Sequence, residues 1–217
     1  SIFGHNLAEN AAAGSLPLPT ALGGVCVTLN DTPIPLLMTS PTQINAQAPP
    51  NVRAGNFTMV VRSNAAASPS TQVRLVASAP GVFVMGGGDA ALFHADDMTP
   101  VTQSDPARRD ERLVLFATGL APAAGVALQP GQPAPSSPLV TTAKPEVFIG
   151  DPRIKEAEMV VEWSGFAPGF VGLNQINLYV HGDRIRGDRL PVSIRVGIGA
   201  PDIVLLDIAM PGLNGFE

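Results

Sequence analysis

Charge is the first thing in short supply. Charged residues make up 14% of the chain, well under the roughly 25% of an average soluble domain. The formal net charge of −5 is spread without blocks of one sign. Nucleic-acid binding rewards clustered Lys and Arg, so no nucleic-acid partner is expected. Apolar residues are common at 45%, yet none of their runs reaches the roughly 18 residues needed to span a bilayer, and no membrane span is expected. Aromatics are scarce at 5% and cysteine is single. One thiol excludes a disulfide framework, and Cys26, inside the strand-like VCVTL, is expected to be a buried inert thiol. No signal peptide is recognisable, and the chain opens without Met inside the apolar SIFG. An upstream portion, leader or further domains, is therefore expected.

Punctuation, by contrast, is abundant. Gly and Pro number 22 each, about a fifth of the chain against an average of roughly 12%. Long helices could not carry that load, because each interior proline costs about 3 kcal/mol. Short strands and turns can. Alternation is visible in FTMVVR (57–62), INLYVH (176–181) and LPVSIRV (190–196), where every second side chain faces one side. Helix signal is confined to NLAENAAAG, room for a turn or two before Gly14.

The chain also echoes itself. IFGHNLA (2–8) returns as LFATGLA (115–121), VTLNDTPIP (27–35) as VFIGDPRIK (147–155), and TQIN (42–45) as NQIN (174–177). RAGNFTMVVR (53–62) matches IRGDRLPVSI (185–194). Echoes in one order indicate an internal repeat. With turn signals at spacings of about 8 to 12 residues, each copy reads as a small β-sandwich. The expected fold is all-β: two Ig-like β-sandwich units over 1–79 and 112–199, joined by a β-hairpin crossover at 80–111, with a tail at 200–217. The Pro-rich QPGQPAPSSP (129–138) is expected as an extended surface loop.

IFGHNLA, LPTALGGVCVTLND, SPTQINAQAPP, APGVF, LFATGL, GFAPGFVGLNQINLYV and PVSIRVG together resemble an uncharacterised C-terminal domain of exported proteins from Solibacter and other acidobacteria. The resemblance runs over 1–199. It implies a secreted or cell-surface location behind other domains of a larger protein, and it carries no activity or catalytic residue. The tail departs from that pattern: PDIVLLDIAMPGLNGFE (201–217) resembles the phosphoacceptor segment of a response-regulator receiver domain, with Asp207 as the acceptor. A receiver also needs an acidic pair to bind Mg²⁺ and later Ser/Thr and Lys positions. None can be placed, so Asp207 is expected to be inactive. The tail reads as a gene junction or fusion remnant, with IVLLDI able to serve as a closing strand.

Chemistry concentrates in GGGDAALFHADD (86–97). Its glycines let backbone approach a ligand, and acids with a histidine follow closely. Asp89, Asp96 and Asp97 are the candidate metal ligands, with calcium as the fitting cation, and His94 with Asp96 the candidate catalytic pair. The spacing matches neither an EF-hand nor a zincin motif, and no cofactor is expected. EWSGF (162–166) lacks the first glycine of a nucleophile elbow. His5 and His181 read as turn or surface residues, and Glu156 with Glu158 as charges guarding a strand edge. Arg186–Gly187–Asp188 reads as a structural turn. Trp163, Phe166, Phe170 and Tyr179 read as core, with a carbohydrate platform as the alternative. The expected function is a non-catalytic exported module for binding, assembly or spacing, partnered by an unknown ligand or neighbouring domains. The alternative is a hydrolase of an ester, lactone or glycoside, metal-assisted, at the 86–97 hairpin.

Overall fold

The computed structural model describes residues 1–63, 66–124, 126–181 and 189–197. Two compact units are present. The first comprises Ser1–Ala77 with Ala124–Leu139 and Pro168–Gly172, and the second comprises Ser78–Ala123, Val140–Ala167 and the described residues from Leu173 onward. Both are built of antiparallel strands, and the one helical piece among the described residues is a 3₁₀ turn at Lys155–Ala157.

Unit 1 contains β1 (Ile2–Phe3), β2 (Ala11–Ala12), β3 (Ala21–Leu22), β4 (Val25–Leu29), β5 (Thr32–Pro33), β6 (Leu36–Thr39), β7 (Gln43–Ala46), β8 (Gly55–Ser63) and β9 (Thr71–Leu75). One sheet runs β1-β7-β6-β2; the other runs β3-β4-β8-β9, with β5 added to β4. Their connections follow from local chemistry. Gly23 and Gly24 both take positive φ and join β3 to β4 in a two-residue hairpin; Asn30 and Asp31 do the same between β4 and β5. Val25, Val27 and Leu29 of one sheet and Leu36 and Ile44 of the other meet in a single core. Each such side chain contributes about 1.5–3 kcal/mol over leaving it in water.

Unit 2 contains β10 (Gly81–Val82), β11 (Leu92–His94), β12 (Arg112–Thr118), β13 (Glu146–Ile149), β14 (Val160–Phe166), β15 (Asn174–Tyr179) and β16 (Val192–Arg195). Its larger sheet runs β10-β12-β15-β14, with β11 also on β12, and β13 pairs with β16 in a second sheet. Leu113, Leu115, Ile176 and Leu178 from the first face Val147 and Ile194 from the second in one core. Sheet packed on sheet is the β-sandwich arrangement.

The echoes occupy matching ladder positions. Ile2 lies opposite Ile44 as Leu115 lies opposite Ile176, and Phe3 opposite Gln43 as Phe116 opposite Gln175. A bulge interrupts β6 between Leu36 and Met38, and another interrupts β14 between Val161 and Trp163; Met38 then meets Asn45, and Trp163 meets Asn177. Backbone conformation agrees as well. Asn6 and Gly119 both have positive φ, as do Asn30 and Gly150, and Asn and Gly are the residue types that tolerate it. The fourth echo needs a one-residue adjustment, because Val27 pairs with Val61 while Val147 pairs with Ile194, so Ile194 stands for Val61 rather than Arg62.

Other expectations are modified. Residues 80–111 form no hairpin crossing between the units: β10 and β11 both pair with β12 inside unit 2. NLAENAAAG holds no helix: Ala11 and Ala12 pair with Thr39 and Met38, because a sheet partner outweighs alanine's modest helix preference. The proline-rich stretch packs within unit 1, where Gly131 N–H donates to Gln47 Oε1 at 2.6 Å and accepts at its carbonyl from Leu18 N–H at 2.8 Å. Glu156 sits in the 3₁₀ turn rather than on a strand with Glu158. Cys26 is half-buried, not buried, and unpaired in β4.

Candidate functional site

The segment expected to carry chemistry folds as a tight loop entering β11. Met85 N–H donates to Asp89 O at 2.8 Å and Gly88 N–H to Met85 O at 3.1 Å. Gly87 and Gly88 take positive φ there, so the glycines serve the turn. Alternation along Leu92–Phe93–His94 points Leu92 and His94 inward and Phe93 outward.

His94 is 4% exposed. Its Nδ1 lies 3.1 and 3.3 Å from the two Glu111 carboxylate oxygens. Its Nε2 lies 3.3 Å from the Asp105 carbonyl and 3.5 Å from the Asp105 carboxylate. Arg108 closes the cluster, 2.5 Å from Asp105 and 3.9 Å from Glu111. The arrangement stitches the 95–111 loop to β11: His94 N–H donates to Thr99 O, and Met98 N–H to His94 O, both at 2.9 Å. A general base needs a ring nitrogen that reaches substrate. Here both nitrogens face the protein's own oxygens.

The three candidate metal ligands go separate ways. Arg189 donates to the Asp89 carboxylate and to Gly87 O, each at 3.3 Å. Asp97 accepts from Thr99 N–H at 2.9 Å and Thr99 Oγ1 at 2.7 Å, and these bonds, the hydroxyl first, hold its carboxyl below the usual carboxylate range. Asp96 is exposed. Among the described residues no three His, Cys, Asp or Glu side chains are grouped as a metal would require. Asp207 and the Arg186–Asp188 turn lie outside the described residues.

Sequence reasoning passed over Glu111, Asp105 and Arg108. They follow His94 by 11 to 17 positions across a segment with no periodicity, and the run DPARRDE was the one available signal. Ser164, from the imperfect elbow motif, is buried and shares a 2.6 Å hydrogen bond with Thr142. His5 is exposed. His181 is 70% exposed at its side chain, with its ring 5.8 Å from that of Tyr179. An open depression of about 400 Å³ in unit 1 is lined by Asn6 to Glu9, Gly23 to Val25, Pro41 and Ser63, with Glu9 the sole ionisable side chain among the described residues there.

The four aromatics divide. Phe166 is buried, and Phe170 is 46% exposed in unit 1. Trp163 and Tyr179 are half-buried on the outward side of the larger unit 2 sheet. Comparison with protein-family models, curated proteins and solved structures finds no significant match. No helix among the described residues is long and apolar enough to cross a membrane.

Proposed function

We propose that this chain is a non-catalytic, Ig-like β-sandwich module that serves binding, assembly or spacing within a larger secreted or cell-surface protein. The observation that carries this reading is His94, the strongest catalytic candidate, which is 4% exposed with both ring nitrogens facing oxygens of Glu111 and Asp105. The dispersal of Asp89, Asp96 and Asp97 supports it, since each acid has its own surroundings rather than a shared site. The resemblance of 1–199 to the exported acidobacterial domain supports the location, and the matching ladders of the two units support a duplicated origin.

A screen of ester, lactone and glycoside substrates, with and without EDTA, tests the reading. The expected result is no turnover. One observation favours the hydrolase alternative: an imidazole held by a carboxylate is the base-and-orienter pair of nucleophilic hydrolases. Robust turnover that disappears in His94→Ala and Asp96→Ala would establish that alternative and overturn the module.

A further inference from the structure

The unit 2 core cluster is aliphatic apart from Met159, from Leu113 and Leu115 through Ile176, Leu178 and Ile194, and the aromatics buried in this unit are Phe148 and Phe166. Aromatics are scarce in this chain, with one Trp and one Tyr, yet both stand on the outward side of one sheet. Tyr179 lies opposite Arg112 on β12, and Trp163 lies opposite Asn177 on β15. Opposed residues in an antiparallel pair share a face, which also places Phe116 beside Gln175. Phe93 on β11 meets Phe116 edge to face at 5.6 Å. Val114, 5% exposed, lies opposite Phe93 and Asn177 on this same face, so packing accounts for part of the placement, while Phe93, Phe116, Trp163 and Tyr179 each keep part of their surface open.

Polar groups between the rings are arrayed to match. Gln175 Nε2 donates to Asn177 Oδ1 at 2.9 Å, which leaves Gln175 Oε1 and Asn177 Nδ2 with no partner among the described residues. Arg112 donates to both Glu162 oxygens, at 2.8 and 3.0 Å, and Asp110, which accepts from the Tyr179 hydroxyl at 3.4 Å, lies 3.4 Å from Arg109, so each of these charges is paired. The Arg112 guanidinium also sits 5.6 Å from the centre of the Tyr179 ring and holds it in place. Trp163 packs over Gly165, where an added Cβ would come within 2.5 Å of its ring; the indole is thereby positioned before any ligand arrives. From Phe93 to Trp163 the face crosses four strands, a span of about 14 Å. Unit 1 repeats the amide pair: Gln43 Nε2 donates to Asn45 Oδ1 at 2.8 Å, beside Phe3, which is 65% exposed.

The geometry points to this outward face of unit 2 as a binding surface for a neutral oligosaccharide. Aromatic faces take the C–H faces of sugar rings, amides exchange hydrogen bonds with hydroxyls, and a charge-neutral strip suits an uncharged ligand. The inference rests on the non-catalytic module reading and names its ligand class.

Trp163 is the chain's only tryptophan, so its emission reports on this face alone. The full chain is titrated with soluble mixed-linkage β-glucan, xylan, galactomannan and xyloglucan, with Trp emission, retardation in polysaccharide gels and release of reducing ends all measured. A saturable emission change with gel retardation is expected for at least one of the four. Asn177→Ala and Tyr179→Ala should weaken it by about tenfold or more, while Phe170→Ala in unit 1 leaves it unchanged; circular dichroism confirms that each variant is folded. Asn177 is outward-facing, so its variant remains informative if loss of Tyr179 disturbs folding. Absence of binding to all four, or binding indifferent to both unit 2 variants, overturns the surface and leaves the module reading standing. Release of reducing ends overturns the module reading instead.

Discussion

Asp151 and Arg153 show how much a two-residue spacing settles. Arg153 donates from its guanidinium and its backbone N–H to the Asp151 carboxylate, at 2.6 to 3.1 Å. Those bonds, the side-chain ones first, lower the Asp151 pKa to about 2. Because the folded value is depressed, the interaction is complete above the ordinary value of 3.8 and fades as pH falls toward about 2. Arg153→Gln should return the Asp151 midpoint toward 3.8, read from its carboxyl carbon shift in an NMR titration; an unmoved midpoint would remove Arg153 as the cause. Asn174 is a buried counterpart. Its Oδ1 accepts from Leu120 N–H at 3.0 Å, while its Nδ2 has no partner among the described residues. Asn174→Ala orphans a buried amide and should cost about 1–3 kcal/mol in a urea titration. At Gly165 an added methyl would stand 2.5 Å from Val140 O, which is backbone and cannot swing aside. Gly165→Ala should therefore destabilise unit 2 by about 1–3 kcal/mol.

Among the elements, β15 was the most legible. Its buried and half-buried residues alternate without a break from Asn174 to Tyr179, as NQINLY suggests. Ile176 and its echo Ile44 are both fully buried, and Ile176→Ala and Ile44→Ala should each cost about 2–5 kcal/mol by denaturant unfolding. Bulges were not legible. Leu37 and Glu162 are the extra residues opposite β7 and β15, and neither carries the glycine that flags some bulges. Alanines at 11–13 misled for a different reason: helix preference is a fraction of a kcal/mol per residue, whereas the ladder to β6 satisfies whole backbone groups. Loop 95–111 is held through the His94 side chain. His94→Ala should raise amide exchange across that loop well before it affects β15, as hydrogen exchange will show.

For the molecule as a whole, the abundance of Gly and Pro and the alternating apolar segments led to an all-β fold, and the structure is all-β. The unit boundaries were less visible. Ala124–Leu139 and Pro168–Gly172 pack within unit 1 although they lie in the second half of the chain. Contacts such as Gly131 to Gln47 join residues 84 positions apart, and no local pattern encodes a partner at that distance. The acid-rich hairpin misdirected attention for a related reason. Residue type shows which groups have chemical potential, but only geometry shows whether that potential is directed outward or consumed internally.

The amino-acid sequence by itself determined the strand periodicity, the αL positions at Asn6, Asn30, Gly119 and Gly150, and the inward aliphatics, because these depend on neighbours a few residues away. Tertiary structure alone decided that His94 is enclosed by Glu111 and Asp105 and that Trp163, Tyr179, Phe93 and Phe116 share one outward face. Register and bulges set those meetings, and they are fixed by the packing of both sheets at once rather than by any one segment.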